Sequence, residues 1–494
     1  MDIGYISTRG GGEKLTASMA IIRGIAEDGG LLVPERMPEA DFTMEELCSL
    51  GYRDIAYRVM RLFLTDYTEK ELKNCIKAAY DDKFDTDEIA PIHEASGAYF
   101  LELFHGATIA FKDMALSILP HLMTVAAKKN DVKGDIVILT ATSGDTGKAA
   151  LAGFAGVEGT RIIVFYPKDG VSPIQKRQMV TQKGDNTFVV GIEGNFDDAQ
   201  TGVKKLFADE ELASYMNERS CRLSSANSIN IGRLVPQIVY YIYAYTRLVA
   251  KNVIKVGDNI NITVPTGNFG NILAAYYASL LGLPVGKLIC ASNENKVLYD
   301  FFGTGTYDRN REFVLTSSPS MDILISSNLE RLIYRICGND AKRCADLMKE
   351  LWSNGSYDIT PDMREQLDKF YGGFADEKVT KDTIKKVFDN DSYLIDTHTA
   401  VAASVYFSYR DRTGDATPTI IASTASPYKF TKSVLEAVSP KDITDDDFEM
   451  ADRLSKISGV PVPYAVTSIR DAEILHKTIC SIEDMKDTVK SFLN

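Results

Sequence analysis

The sequence lacks the features that mark several common classes of protein. Its seven cysteines form no C-x-x-C pair, so neither a zinc ribbon nor a dithiol redox motif is expected. An odd number of scattered thiols in so long a chain is typical of a reduced cytosolic protein and not of a disulfide scaffold. The five histidines form no H-E-x-x-H motif. We therefore predict no structural or catalytic metal.

Positive charge and long apolar runs are also scarce. The net charge of −13 argues against a nucleic-acid partner, because a surface that binds a polyanion is basic. The first residues contain no apolar run of the signal-peptide type. The most apolar stretch, residues 229–250, is interrupted by Asn230, Arg233 and other polar residues, so it predicts a buried helix and not a membrane span. A cytoplasmic protein without a membrane partner is expected.

The composition and the hydrophobic patterns that are present indicate a folded chain of two or three domains. The chain has 494 residues, of which 45% are hydrophobic and 25% charged. We predict an N-terminal domain over 1–92, a core over 93–430 and a C-terminal helical segment over 431–494 that packs on the core. Short apolar strands alternate with helices over 135–167 and again over 261–292. This alternation predicts an α/β fold whose parallel sheets are covered on both faces.

Two glycine-containing turns stand between a predicted strand and the helix that follows it. They are TSGDTG at 142–147 and TGNFGN at 266–271. The first N–H groups of a helix are unpaired and carry partial positive charge, and glycine lets a bound anion approach the backbone closely. One such turn is often simple packing, but two suggest a ligand with two anionic ends.

Other nucleotide and hydrolase motifs fit poorly. SGDTGK at 143–148 resembles a phosphate-binding loop, but Thr142 stands where that loop needs glycine, and Ala149 stands where it needs serine or threonine. The sequence has neither G-x-G-x-x-G at these turns nor a G-x-S-x-G elbow.

One lysine lies in an unusual setting, in HGATIAFKD at 105–113. Lys112 follows Phe111 and comes just before an apolar helix. A lysine there is most often a solvated flank. If it were buried beside a cofactor, however, desolvation would lower its pKa and make its amine a nucleophile.

The blocks described so far resemble segments of the threonine synthase family, and the resemblance extends along nearly the whole chain. HGATIAFKD is similar to the family's cofactor-lysine segment, and ATSGDTG and PTGNFGN to its two ligand loops. Further matching blocks are STRG at 7–10, DGGL at 28–31, NSINIGR at 227–233, SPSMDI at 318–323, SSNLER at 326–331 and STASPYKF at 423–430.

This resemblance implies a fold, a cofactor and a reaction. The fold is the type II fold of pyridoxal phosphate (PLP) enzymes, in which two parallel-sheet α/β subdomains hold the cofactor between them, here with an additional N-terminal domain. The reaction converts O-phospho-L-homoserine and water into L-threonine and phosphate, by γ-elimination and addition of water at the β-carbon. Either a monomer or a homodimer is expected.

The resemblance also implies roles for individual residues. Lys112 would hold PLP covalently and then move protons, and Thr424 would hydrogen-bond the pyridine nitrogen. The phosphate of PLP would lie on the second turn, formed by Gly267, Asn268, Phe269, Gly270 and Asn271. The substrate would face the first turn, formed by Ser143, Gly144, Asp145, Thr146 and Gly147. Further polar contacts would come from Asn227, Ser228, Asn230 and Arg233, although a salt bridge within an apolar helix is an equal alternative for Arg233.

Some positions depart from the family pattern, and three other functions stay open. Ala107 and Ile109 look like packing variants, whereas Thr397 and Ser426 put fine substrate contacts in doubt. The first rival function is another PLP lyase, either a dehydratase or a phospho-lyase. The second is an ATP-dependent kinase that uses SGDTGK, and the third is an inactive scaffold.

Overall fold

A computed structural model describes residues 2–142, 144–169 and 171–493, with the exception of the Asp197 side chain. The N-terminal elements form a small helical layer with one antiparallel strand pair. In chain order these elements are β1 (Tyr5–Ser7), α1 (Ala17–Arg23), β2 (Leu32–Pro34), α2 (Met44–Leu47), α3 (Tyr52–Phe63) and α4 (Glu69–Ala79).

The next part of the chain begins the larger sheet and then forms the smaller one. The first elements are β3 (Ile92–Ala95), β4 (Ala98–Glu102), α5 (Asp113–Leu116) and α6 (Leu119–Lys129). The smaller subdomain follows, with β5 (Ile136–Ala141), α7 (Asp145–Phe154), β6 (Thr160–Pro167), α8 (Pro173–Val180), β7 (Thr187–Ile192), α9 (Phe196–Phe207), α10 (Glu210–Glu218) and β8 (Arg222–Ser224).

The chain then returns to the larger subdomain. Its first half contains α11 (Ile231–Ala250), β9 (Ile260–Pro265), α12 (Gly270–Leu280), β10 (Val285–Ser292), α13 (Val297–Thr304), β11 (Thr306–Asp308), α14 (Leu329–Ile336) and α15 (Ala341–Asn354). Its second half contains β12 (Ser356–Asp358), α16 (Pro361–Glu365), β13 (Phe370–Phe374), α17 (Glu377–Asp391), α18 (Thr397–Thr413), β14 (Thr419–Ser423) and α19 (Thr431–Val438). The remaining elements are α20 (Asp447–Ser458), α21 (Tyr464–Thr467), β15 (Thr478–Cys480) and α22 (Met485–Phe492).

The two main sheets confirm the predicted α/β architecture. The larger sheet has the order β13-β10-β9-β14-β4-β3 and is parallel except for the antiparallel pair β3 and β4. The smaller sheet has the order β15-β7-β6-β5-β8 and is parallel throughout. All residues of β9 and β14 are buried, as expected for strands with helices on both faces.

The strands predicted from apolar runs lie where expected, and so does the long helix. The apolar stretch at 229–250 forms the buried helix α11, which begins at Ile231. None of the helices within the described residues has both the length and the apolar character needed to cross a membrane.

The segment 431–494 differs from the helical prediction, because it contains a strand that completes the smaller sheet. In β15, Ile479 pairs with Gly191 of β7. The helix α22 then packs against the same subdomain through Met485 and Val489. A strand of three residues is too short to show an alternating pattern, so its sequence did not indicate it.

Candidate active site

The candidate functional residues meet at the carboxyl ends of the parallel strands. The first glycine turn follows β5, and the second follows β9. A third segment follows β14 and pairs with the loop that carries Lys112. Phe111 N donates to the carbonyl of Thr424 at 2.8 Å, and Ser426 N donates to the carbonyl of Ile109 at 3.0 Å. These backbone bonds place Lys112 and the buried Thr424 on neighbouring segments.

The loop before Lys112 is locked by a buried carboxylate. Asp113, the first residue of α5, accepts hydrogen bonds from Thr108 N at 2.8 Å and from Thr108 Oγ1 at 2.6 Å. Gly106 has no room for a side chain, because a Cβ there would lie 2.5 Å from the Cβ of Asp113. The backbone at Lys112 is therefore fixed from both sides.

Lys112 is buried and is not a solvated flank. Its Nζ lies 3.0 Å from Ser320 Oγ and 3.4 Å from Asp145 Oδ2. Burial lowers the pKa of Lys112. Asp145 opposes that shift, while Lys429 and Arg233 reinforce it. A buried lysine with a lowered pKa has the accessible neutral amine that covalent catalysis needs.

The first glycine turn, residues 142–147, carries an anion of its own, the largely buried carboxylate of Asp145. Thr142 Oγ1 accepts hydrogen bonds from the N–H groups of Gly144 and Gly147, at 2.9 and 3.0 Å. Asp145 begins α7, and its carboxylate accepts hydrogen bonds or ion pairs from Lys112 Nζ, Lys429 Nζ at 3.1 Å, Gln175 Nε2 at 2.9 Å and Ser320 Oγ at 2.9 Å.

The environment keeps Asp145 ionised. Burial alone would raise the pKa of its carboxyl, but Lys429 and Lys112 hold that pKa well below the usual range. Thr146 is half-buried, and Ser143 lies outside the described residues. Asp145 is thus the residue of this turn that the structure places beside Lys112.

The second glycine turn, residues 266–271, contains no acidic residue. Phe269 stands directly before α12 in the left-handed conformation, with φ of 61°, and its buried ring packs against Phe302 and Phe370. Neighbouring residues hold the loop through its carbonyls: Ser326 Oγ donates to Gly267 O at 2.6 Å, and Asn328 Nδ2 donates to Asn268 O at 2.9 Å.

The start of α12 remains open to an anion. Within the described residues no side chain caps this helix, and its first turn has no carboxylate. Asn271 turns its Oδ1 toward the hydroxyls of Tyr240 and Tyr241, and its buried Nδ2 has no partner among the residues the structure describes. Uncompensated N–H donors at a helix start are a site for a phosphate.

Arg233 is a buried cation close enough to Lys112 to affect its pKa. One of its guanidinium nitrogens donates to Ala226 O at 2.9 Å, whereas its Nε has no partner and no carboxylate pairs with it among the described residues. Burial lowers its pKa to about 10. The salt-bridge alternative for Arg233 therefore does not appear in the described structure, and the guanidinium is available for an anionic ligand.

The other three residues singled out from NSINIGR, which are Asn227, Ser228 and Asn230, are placed differently. Asn230 caps α11 through Gly232 N, and its Nδ2 donates to the carbonyl of Ile21 in the N-terminal layer at 2.9 Å. Its side chain therefore joins two layers of the fold. Asn227 is exposed, and Asn328 Nδ2 lies 3.3 Å from the carbonyl of Ser228.

Four residues that lie around Lys112 and Asp145 were not identified from the sequence as site residues. They are Gln175, Ser320, His398 and Lys429. Ser320 and Lys429 lie inside matching blocks, but a serine or lysine within a block does not by itself indicate where its side chain points. Gln175 and His398 reach the cluster from α8 and α18, and no local spacing connects them with Lys112.

The remaining blocks join the N-terminal layer to the larger subdomain. Arg9 forms two hydrogen bonds with Glu330, at 3.0 and 2.7 Å, and Thr8 Oγ1 donates to the same carboxylate. Arg331 is fully buried and donates to the carbonyl of Leu32. STRG and SSNLER thus meet at one buried interface.

The geometry of SGDTGK does not support an ATP loop. The Nζ of Lys148 is buried and donates to the carbonyl of Gln178 at 3.1 Å. Burial, together with nearby Lys429, lowers the pKa of Lys148 to about 8. A phosphate-loop lysine must instead reach the ligand.

Comparison with known proteins agrees with this geometry. The family model described as "Pyridoxal-phosphate dependent enzyme" matches residues 88–422. Models described as "Threonine synthase N terminus" and "Threonine synthase, C-terminal" match residues 4–80 and 399–479. The fold and the site therefore define a PLP-dependent enzyme of fold type II.

Individual relatives narrow this class. Threonine synthase from Pseudomonas aeruginosa is 38% identical over 440 residues, which cover 88% of this chain and 90% of that protein. The crystal structure of PLP-bound threonine synthase from Brucella melitensis has a TM-score of 0.88 at 33% identity, with 100% of both chains covered. The chain belongs to the threonine synthase family, and its cofactor is pyridoxal phosphate.

Other relatives are longer than this chain. Threonine synthase-like 1 from Pongo abelii is 37% identical over 478 residues. These cover 92% of this chain but 64% of that protein, so the chain spans less than two thirds of the length of that relative.

The described residues fit PLP on three observations. The buried lysine carries a lowered pKa, the uncapped start of α12 is neutral, and Thr424 offers a buried side chain that is not acidic. An acidic group at either of the last two positions would be a poor partner for a phosphate or for an unprotonated pyridine nitrogen.

Proposed function

We propose that this protein is a threonine synthase, which converts O-phospho-L-homoserine and water into L-threonine and phosphate. The observation that carries the proposal is the presence of two buried basic residues in one site. Lys112 has a lowered pKa, and Arg233 has no carboxylate partner among the described residues. The names of the relatives support the formation of threonine. A cytoplasmic location and a monomeric or dimeric state remain predictions.

The residues that would hold the cofactor come from three loops. Lys112 would bind it covalently, the N–H groups at the start of α12 would receive its phosphate, and Thr424 would face its pyridine nitrogen. When bound, PLP supplies an electron sink that stabilises negative charge on the carbon skeleton of an amino acid.

The chain itself would supply proton transfer and anion binding. The amine of Lys112, once free, would take a proton from the substrate at Nζ and return it, since its lowered pKa favours the neutral form. Asp145 would stay ionised and hold the Nζ of Lys112 and the ammonium group of Lys429 in place.

Arg233 is the proposed partner for the phosphate or carboxylate of the substrate. A guanidinium can form two parallel hydrogen bonds with such a group, and burial strengthens each one. Because the phosphate of PLP would lie at the start of α12, Arg233 would be left for the anionic groups of the substrate.

The test follows products and cofactor together. The purified protein with PLP is mixed with phosphohomoserine, and threonine, phosphate and 2-oxobutanoate are quantified. We expect threonine and phosphate in equal amounts, and we expect Lys112→Ala to lose at least about a thousandfold in rate together with covalent cofactor. Release of phosphate with 2-oxobutanoate and no threonine would instead identify a lyase.

A second variant separates the role of Arg233 from that of the fold. Arg233→Met should lower kcat/KM for phosphohomoserine by about a hundredfold while PLP still binds, because a buried charged hydrogen bond is lost. Arg247→Met, on the same helix but bonded to the carbonyls of Cys48 and Leu50, is the matched control. Equal activities in the two variants would contradict the assignment.

A further inference from the structure

Ser320 connects the two charged groups at the centre of the site. It lies in a short 3-10 turn over Pro319–Met321 that belongs to neither glycine turn. Its Oγ is 3.0 Å from Lys112 Nζ and 2.9 Å from Asp145 Oδ2. The direct distance between the lysine and the carboxylate is longer, at 3.4 Å. The hydroxyl therefore makes the shorter contact with each of them.

The chemistry of the neighbours sets the direction of these hydrogen bonds. An ionised carboxylate can only accept, so the one hydrogen of the Ser320 hydroxyl points to Asp145, whereas Lys112 has N–H hydrogens to donate both as an ammonium and as a neutral amine. Ser320 must therefore accept from Lys112 and donate its own hydrogen to Asp145. As a result, a lone pair of the hydroxyl faces Lys112 Nζ.

The turn that presents Ser320 is held from behind by α18. Ser320 N donates to His398 Nε2 at 3.2 Å, and His398 Nδ1 lies 2.8 Å from the fully buried Asp396. Because Nε2 accepts, the proton of a neutral imidazole resides on Nδ1 and is donated to Asp396. Thr397 Oγ1 also donates to Ser317 O at 2.7 Å, which fixes the start of the same turn.

We propose that Ser320 is a catalytic residue whose hydroxyl accepts a hydrogen bond from the free Lys112 and holds its Nζ in the orientation for proton transfer, with His398 as its positioning residue. This inference rests on the proposed role of Lys112. No proton leaves Ser320: its hydroxyl hydrogen stays on the Asp145 side, and the proton that Lys112 takes up remains on Nζ until it is returned.

The Ser320 hydroxyl also affects the protonation of Lys112. The groups that face Nζ are the carboxylate of Asp145, the cations Lys429 and Arg233, and the Ser320 hydroxyl, behind which lies the imidazole of His398. Removal of the hydroxyl takes an acceptor from the ammonium and leaves the two repelling cations in place. The neutral amine is then favoured further, and the pKa of Lys112 should fall.

The experiment follows the attachment of PLP to Lys112 without any substrate. The full-length protein is stripped of cofactor, PLP is added at a series of pH values, and the growth of the visible absorbance band gives the rate of attachment. Only the neutral amine reacts, so the midpoint of the rate profile reports the protonation of Lys112. In Ser320→Ala this midpoint should move to lower pH by about one unit.

Matched variants distinguish this role from a structural one. Ser320→Thr keeps the hydroxyl and should restore the wild-type midpoint. Ser317→Ala removes a hydroxyl of the same segment that donates to Glu377 and should leave the midpoint unchanged. His398→Leu should shift it in the same direction as Ser320→Ala, whereas His398→Gln keeps an acceptor and should shift it less.

The outcomes are separable. Superimposed profiles for wild type and Ser320→Ala would overturn the inference. If Ser320→Ala does not fold, Ser320→Cys, a weaker acceptor of similar size, must show the downward shift, and an unshifted profile there would equally overturn it. If the wild type itself forms no band with PLP, the assignment of Lys112 fails, and the inference on Ser320, which rests on it, fails with it.

Discussion

The two glycine turns have the same local pattern and opposite electrostatics. Each follows a buried parallel strand and leads into a helix. The turn at 142–147 places Asp145 at the start of α7, where two lysines and two neutral donors surround its carboxylate. The turn at 266–271 places Phe269 and Gly270 at the start of α12, without a carboxylate and without a side-chain cap within the described residues.

This difference shows that a strand–glycine–helix pattern alone does not define an anion site. In the first turn the protein supplies the anion itself and uses it to hold cations, whereas in the second turn the helix start is left for a ligand. An acidic residue at the first position of the helix, as in α7, supplies the anion, whereas a neutral residue there, as in α12, leaves the helix start for an anionic ligand.

The largest expected effect comes from removing the anion of the first turn. Asp145→Asn leaves Lys112 and Lys429 without their counter-charge, and we expect a loss of about 3 kcal/mol in the free energy of unfolding. The loss should be measurable by urea titration. Asp135→Asn removes the half-exposed partner of Arg161 near the other end of β5, and should cost no more than about 1 kcal/mol.

The stability that Asp145→Asn loses should depend on pH. The folded-state pKa of Asp145 is lowered, so its stabilisation is present above the ordinary pKa of an aspartate and is lost as the pH falls. The difference in stability between wild type and Asp145→Asn should therefore be full at neutral pH and shrink below about pH 4. A difference that grows on acidification would contradict this assignment.

An intermediate effect is expected from adding an anion to the second turn. Asn268 is exposed, so Asn268→Asp should fold normally, and a carboxylate near a helix start should stabilise α12 slightly. It should repel the phosphate of PLP and raise the dissociation constant by about 10- to 100-fold. Titration with PLP measures this, and Asn268→Ser is the neutral control. Equal affinities of the two variants would place the phosphate elsewhere.

The smallest expected effect compares one glycine of each turn. Gly144 has φ of 141°, and a Cβ there would lie 2.6 Å from the side chain of Gln175, so Gly144→Ala should destabilise the protein by about 1–2 kcal/mol. At Gly270 the nearest atom to a Cβ is Asn328 Nδ2 at 3.4 Å, so Gly270→Ala should change stability by less than about 0.5 kcal/mol. Thermal unfolding of the two variants tests the contrast.

The strands and the long helix could be predicted because their signals are local, and Lys112 was proposed because it lies in a block shared with a family. The partners of Lys112 could not be predicted in this way. Ser320, His398 and Lys429 come from segments far apart in the chain, and only the packing of the larger sheet brings them to one point. Asn230 was predicted as a substrate contact, yet its side chain bonds to the N-terminal layer, since residue type does not reveal which surface a buried amide faces.

The strand β15 has a consequence for the order in which the protein can mature during translation. It completes the smaller sheet beside β7, although four of the six strands of the larger sheet (β9, β10, β13 and β14) are synthesised between these two strands. A nascent chain that has made β5 to β8 therefore carries an unpaired edge at β7 and lacks the cover of α22. Contacts of such long sequence separation form late. Ribosome-bound intermediates of this protein should accordingly depend on chaperones until β15 has emerged.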